Sequence, residues 1–357
     1  MITESDFGAL MQSANRRRPS RALVVMALIS LVAWSLSIRY SIGQVTLSPA
    51  AAVRGLFKTE GSSPFEQIAV LARMPRATMA ILIGGGLGAA GALLQSLYRN
   101  PLAGPGITGV SPGATTAVVL FVVYGPTLST DATALVTPMV AILGGALTAG
   151  ITFAISSLAG RADPLRLILV GILLGGVLGT ITSLILLTEG QNAISIIRFL
   201  AGSIDVIGWT QVRVVAIASV LLAPLIVYCI PLGNVLALGD DMAHGMGERV
   251  ARARLLMLFT AASITAVAVA FVGGMVFVGL IAPHVARRYV GGDLRRLVPA
   301  SCLTGSSLVL VGDLLARSIR PAEWDLPFPV APTTLPAGMY LSLIGAVFFA
   351  RVVRRTP

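Results

Sequence analysis

Charge is scarce in this chain. Only 11% of its residues are charged and 55% are hydrophobic, where a soluble domain carries about 25% charged residues. That balance excludes an ordinary water-soluble globule and points to an all-α, polytopic membrane protein. Histidine and cysteine number two each. His244 and His284 lie far apart in the sequence and make a poor metal cage. Cys229 and Cys302 both fall inside apolar runs, which argues against a disulfide framework or thiolate metal site and leaves them as packing residues. Lysine is reduced to Lys58 in "RGLFKTE". The phosphate-binding loop GxxxxGK[ST] is therefore missing, and ATP must be hydrolysed by another polypeptide or not used at all. No HExxH, paired carboxylates or nucleophile–base set appears within the apolar runs, which makes an intramembrane enzyme a poor reading.

What is abundant is apolar sequence in bilayer-length stretches of about 20 residues. Ten are placed near 22–38, 77–97, 106–124, 132–158, 165–188, 210–231, 255–273, 276–290, 298–316 and 335–352, the eighth being short. The first follows the basic segment "NRRRPSR" without a small-residue cleavage site and reads as a retained anchor. The net charge of +11 would suggest nucleic acid in a soluble domain. Here most arginines sit in short loops on one side of the expected spans, so they orient the chain with both termini in the cytoplasm, and no nucleic-acid partner is expected. Residues 1–21 read as a cytoplasmic tail and 22–357 as one transmembrane domain. The longer polar stretches are outer segments near 39–76 and 320–334 and an inner loop near 232–254.

The third span is preceded by a sharp interruption, "LLQSLYRNPLAGPGITGVSPGA" at 93–114. Pro101, Pro105 and Pro112 remove backbone donors, and Gly104, Gly106, Gly109 and Gly113 permit tight reversals. The Asn100 side chain suits the backbone groups that a broken helix exposes. Inside hydrocarbon such a stretch survives only where protein or a water-filled cavity covers it. Discontinuous elements of this kind are typical of transporters, although a plain loop end uses the same residues. Glycines recur at helical spacing in the second span (Gly84, Gly88, Gly91) and the fifth (Gly171, Gly175, Gly179). Such stripes serve close helix packing, and for the fifth span a pathway-lining role is the alternative. Asp313 and Arg317, four residues apart in the ninth span, are placed for an intrahelical ion pair.

Four stretches carry a resemblance to a known family: "RMPRATMAILIGGGLGAAGALLQSLYRNPLAGPGITGVSPGA", "GDDMAHGMG" at 239–247, "FVGLIAPHVARRYVGGDLRRLVPASCLTGSSLVLVGDLLAR" at 277–317, and "LPAGMYLSLIGAVFF" at 335–349. Together, and in this order, they resemble the FecCD family, the permease subunits of ABC importers for iron-siderophores, haem and cobalamin. The resemblance implies the type II ABC importer permease fold of about ten helices, and a pathway shared with a second permease subunit, identical or homologous. It also implies two ATPase subunits inside, which would hold ATP and Mg, and an extracytoplasmic substrate-binding protein outside. No cofactor is expected on this chain. The setting implied is a bacterial inner membrane, with lipid around the chain and an iron-siderophore as substrate; haem and cobalamin are the alternatives.

The resemblance also implies site residues. Asp240, Asp241, Ala243, Gly247, Glu248 and Arg249 match the coupling element that docks on the ATPase, where a short helix can act as a lever; an ordinary solvated loop is the other reading of these residues. Arg73, Arg76 and Arg317 match outer arginines that pair with glutamates of the binding protein, whereas by themselves they read as headgroup anchors. The pathway is expected along Gly171, Gly175 and Gly179, with Asn100 and Pro101 at the interruption and Asp163, Pro164, Leu165 and Arg166 at the inner gate. The chain departs from the family with Thr334 before "LPAG", Val347 in "GAVFF" and a long outer segment containing Trp324 and Phe328. A secondary transporter coupled through Asp313 or Glu189 is the reading from a different class.

Overall fold

The computed structural model describes residues 19–39, 64–106, 108–158, 164–189, 193–204, 207–319 and 335–353. Expectations for Asp163, for residues 1–18 of the tail and for 320–334 with Trp324, Phe328 and Thr334 lie outside the described residues. Among the described residues the chain forms twelve helices and no strand. They are α1 (Pro19–Arg39), α2 (Pro64–Leu97), α3 (Val110–Tyr124), α4 (Thr130–Ser157), α5 (Pro164–Thr188) and α6 (Ala193–Leu200). The second half holds α7 (Trp209–Ala237), α8 (Asp240–Gly245), α9 (Val250–Val272), α10 (Val278–Val290), α11 (Leu294–Ser318) and α12 (Ala337–Val353).

Each of the ten expected spans coincides with a helix, α6 and α8 being short extras. Six helices, α2, α4, α5, α7, α9 and α11, are long and apolar enough to cross a bilayer, and the apolar parts of α1, α3 and α12 are shorter. The boundaries shift where local chemistry overrides hydropathy. α2 begins at Pro64 rather than near 77 and absorbs the amphipathic run "PFEQIAVLARMPR" with Pro75 inside it. A proline's fixed φ is compatible with helix and forfeits one backbone bond. α3 starts at Val110 rather than 106, because Gly109 turns the chain at φ 75. α7 runs on to Ala237, its buried Gly233 and Leu236 seated against the bundle.

α2 is the axis of the fold, and its most extensive packing is with α11. The reason is the glycine stripe. A Cβ on Gly84, Gly88 or Gly91 would collide with backbone of Gly305, Ser301 or Gly279 respectively. The packing reading of that stripe is therefore what the structure shows. One apolar core gathers near the α8 end of α2, around Leu94, Leu97, Met257 and Leu297; a second lies toward the other end, around Met79, Ile83, Val272 and Leu310. Burial is uneven. The apolar windows of α2 and α9 are 72% buried, those of α5 and α7 only 17% and 11%. In an apolar chain such faces meet lipid or another protein.

Candidate functional site

The interruption is sheltered as its composition demands. After α2 the chain reverses at Arg99, in a left-handed conformation (φ 48). Asn100 then closes an Asx turn, its Oδ1 accepting from Leu102 N at 2.9 Å. The Thr108 hydroxyl donates to Pro105 O at 3.0 Å, and Ser111 N donates to the same carbonyl at 3.3 Å. Ala103, Gly104, Pro105, Thr108 and Gly109 are all buried. The stretch reaches this state through close approach. A Cβ on Gly171 of α5 would come within 2.7 Å of the Thr108 carbonyl carbon, and one on Gly109 within 2.8 Å of Gly171 O.

Beyond that contact the two elements part and leave a cavity of about 280 Å³, lined by Ser111, Pro112 and Thr115 on one side and Gly175, Gly179 and Thr182 on the other. The fifth-span stripe thus divides its work. Gly171 packs, Gly175 makes ordinary contact with Pro112, and Gly179 faces open space. Thr116 and Thr182, both in the lining, share a hydroxyl–hydroxyl bond of 2.9 Å. Leu200, Gly274 and Val276 complete the lining and belong to a second break in the chain. There Ser203 N donates to Val272 O at 2.9 Å and Gly338 N to Gly202 O at 2.8 Å. Gly202 (φ 80) and Gly273 (φ 69) take the left-handed conformation that this three-way junction requires. Sequence reasoning missed it; the adjacent glycines of "FVGGMVFVG" were its signal. The other expected pathway residues stand apart. Asn100 and Pro101 sit where the first break begins, and Leu165 and Arg166 are exposed at the start of α5, behind half-buried Pro164.

At one end of α2 lies the loop expected to dock on an ATPase. Gly239 (φ 119) and Gly247 (φ 84) bracket α8. Ala243 is fully buried and pins the short helix to the bundle, while Asp241, Gly247 and Arg249 are exposed and Asp240 and Glu248 are half-buried. Met242 and Met246 are also exposed, at 60% and 63%. These two went unremarked in the sequence, where a methionine in an apolar chain carries no signal. Asp240 ties the element down, accepting from Arg254 Nη2 at 2.8 and 2.9 Å and pairing with Arg99.

At the other end lie the arginines that the resemblance assigns to the binding protein. Arg73, Arg76 and Arg317 are buried, at 3%, 6% and 5% exposure. Arg76 Nε and Nη2 donate to Asp313 Oδ1 at 2.9 and 2.7 Å, and Arg317 pairs with Asp313 as the i, i+4 spacing anticipates. A carboxylate that is 0% exposed draws arginines inward because an unpaired charge there is costly. His284, expected to hold no metal, stacks edge-on against Phe348 at 5.3 Å.

The FecCD transport family matches residues 27–355 of this chain. An Fe(3+)-citrate import system permease protein of Bacillus subtilis, YfmE, is 34% identical over 339 residues, covering 95% of this chain and 96% of that protein. The Escherichia coli ferric enterobactin permease protein FepD is also 34% identical, with 94% of this chain and 96% of that one covered. A solved structure of a metal-chelate type ABC transporter, in an inward-facing conformation, superposes with a TM-score of 0.77 at 26% identity, covering 94% of this chain and 99% of that one.

Proposed function

This chain belongs to the FecCD transport family, and from that premise we propose that it is the membrane-spanning half of a type II ABC importer that takes up an iron-siderophore complex. It is a multi-pass transport subunit, not an enzyme, and ATP is hydrolysed by a separate ATPase subunit. The observation that carries the reading is the cavity between the sheltered Pro-Gly break and the glycine face of α5. α5 is the wall of that cavity and yet lies largely uncovered, as expected of a helix whose other side faces a second permease subunit, identical or homologous, across a shared pathway. A single-chain cavity of about 280 Å³ is below the usual range of about 300–1,000 Å³ for ligand pockets. A chelate would pass only where two such walls meet.

The remaining assignments follow the same premise. Ten helices cross the bacterial inner membrane with both termini in the cytoplasm. Asp240, Asp241, Ala243, Gly247, Glu248 and Arg249 form the seat of the ATPase, whose nucleotide-binding subunits hold ATP and Mg. The binding protein docks at the opposite end, over the surface that Arg73, Arg76 and Arg317 support from beneath. A proton-coupled carrier loses one of its two carboxylate candidates, because Asp313 is locked between two arginines rather than open to a water path, and Glu189 remains the other.

The test is reconstitution of the permease with its ATPase and binding protein in liposomes. ATP inside the vesicles should drive accumulation of ferric siderophore supplied on the binding-protein side. Uptake that persists without the ATPase and collapses with the proton gradient would overturn the proposal.

A further inference from the structure

The start of the Pro-Gly break is tied directly to the element expected to meet the ATPase, and the tie is one side chain. Arg99 is the first residue past the end of α2 to leave the helical conformation, at φ 48, a reversal that glycine or asparagine makes with less steric cost. Its side chain accounts for an arginine there. Nε donates to Leu236 O, in the last turn of α7, at 2.8 Å, and Nη2 pairs with Asp240, the first residue of α8. Asp240 is held in turn by Arg254 of α9, which is itself buried. A single carboxylate thus joins α8, the opening of α9 and the residue beside Asn100, where the break's Asx turn begins. From there the chain runs nine residues to Thr108 and Gly109, which touch Gly171 at the edge of the cavity.

We propose that Arg99 is the positioning residue that couples the ATPase seat to the pathway wall: displacement of α8 draws Asp240, Asp240 draws Arg99, and the break follows. The inference rests on the transport reading above and adds the connection that reading lacks. An exposed ion pair contributes little stability by itself. Loss of this one is therefore expected to show as lost coupling between hydrolysis and transport rather than as an unfolded protein.

The experiment uses the reconstituted complex with Arg99→Gln and Arg99→Lys, scoring assembly by co-purification of the ATPase. A spin label at Leu102→Cys, placed in both the wild-type and the Arg99→Gln backgrounds, reports on the break. Coupling energies of this kind correspond to about 5–150-fold effects. Arg99→Gln is expected to keep hydrolysis within about twofold of wild type while substrate moved per ATP falls at least about fivefold. Arg99→Lys, which keeps the charge, should recover most of that ratio. The nucleotide-dependent change in the label's spectrum, present with Arg99, should vanish with Gln. The proposal is overturned if transport and hydrolysis fall in equal proportion, if neither changes, or if the label responds to nucleotide equally in both backgrounds. Failure of wild-type vesicles to accumulate substrate with ATP would instead overturn the transport reading.

Discussion

Asp313 Oδ1 accepts Arg76 Nη2 at 2.7 Å across the α2–α11 interface, while the same carboxylate pairs with Arg317 on its own helix. At the other end of α2 the pattern recurs, with Asp240 set between Arg99 and Arg254. Between Arg76 and Leu97 the helix rises about 30 Å, and along that length Gly84, Gly88 and Gly91 lie against the backbones of α11 and α10. α2 is therefore held at Arg76 within it and at Arg99 just past its last residue, each by an acid shared between two arginines, and is seamed in between. A helix fastened this way resists bending, which suits an element standing between the proposed ATPase seat and the proposed binding-protein face.

The Asp313 clamp is worth most when one partner is removed. Asp313→Ala removes the buried carboxylate that two buried guanidinium groups share, and loss of one side of a buried pair costs about 3–5 kcal/mol. Thermal unfolding of the purified chain in detergent should show that loss, with Arg76→Ala similarly damaging. If Asp313→Ala unfolds with the wild type, the clamp is not structural.

Two glycine stripes that look alike in sequence should behave differently. Gly91→Ala sets a methyl into the backbone of Gly279, and overpacking of this kind costs typically about 1–3 kcal/mol. Gly179→Ala meets nothing within 4 Å and should leave unfolding unchanged. Gly179→Phe, reaching into the cavity, should fold and bind the ATPase yet lose uptake. Equal destabilisation by Gly91→Ala and Gly179→Ala in parallel melts would refute the division.

How far the sequence revealed this arrangement depended on the kind of signal. Hydropathy located the ten helices other than α6 and α8 among the described residues, because a stretch of apolar residues in hydrocarbon must satisfy its backbone within itself. The Pro-Gly break was equally legible, since its residues are chosen for backbone geometry. The Asp313–Arg317 pair was visible from spacing alone. Its third member was not, because Arg76 is 237 positions away and nothing local distinguishes an arginine at a surface from one folded inward. The junction of Gly202, Gly273 and Gly338 joins three distant segments. The paired glycines at 273–274 mark a bend there, and nothing local shows which other segments meet it.

The exposed methionines of the α8 loop offer a sharper test of docking than its charges do. Met242 and Met246 present flexible apolar surface of the kind that fits partner grooves, beside a buried Ala243 that would keep the helix in place. Met242→Glu together with Met246→Glu should release the ATPase in co-purification while leaving the melting of the permease alone unchanged. Retention of the ATPase by that variant would place the contact elsewhere in the loop.

Asp293 gives a pH-dependent prediction outside the spans. It caps α11, its carboxylate accepting from Arg295 N at 3.0 Å and from Asn234 Nδ2 at 2.8 Å. The Arg295 backbone bond, then the Asn234 amide and the charges of Arg295 and Arg296, hold its carboxyl below the ordinary carboxylate value against a smaller opposing effect of burial. Because the folded value is the lower one, the capped state is favoured in full above the unfolded value, near pH 4. That advantage fades as pH falls from there through the folded value. Asp293→Ala should therefore cost about 1 kcal/mol at neutral pH, as lost N-caps do. Asp293→Asn, which can still accept from Arg295 N, should cost less. Melting curves of wild type and Asp293→Ala taken from neutral to acid should converge as the cap protonates. A gap that stays constant into strong acid would mean that the carboxylate's charge has no part in holding the α10–α11 turn.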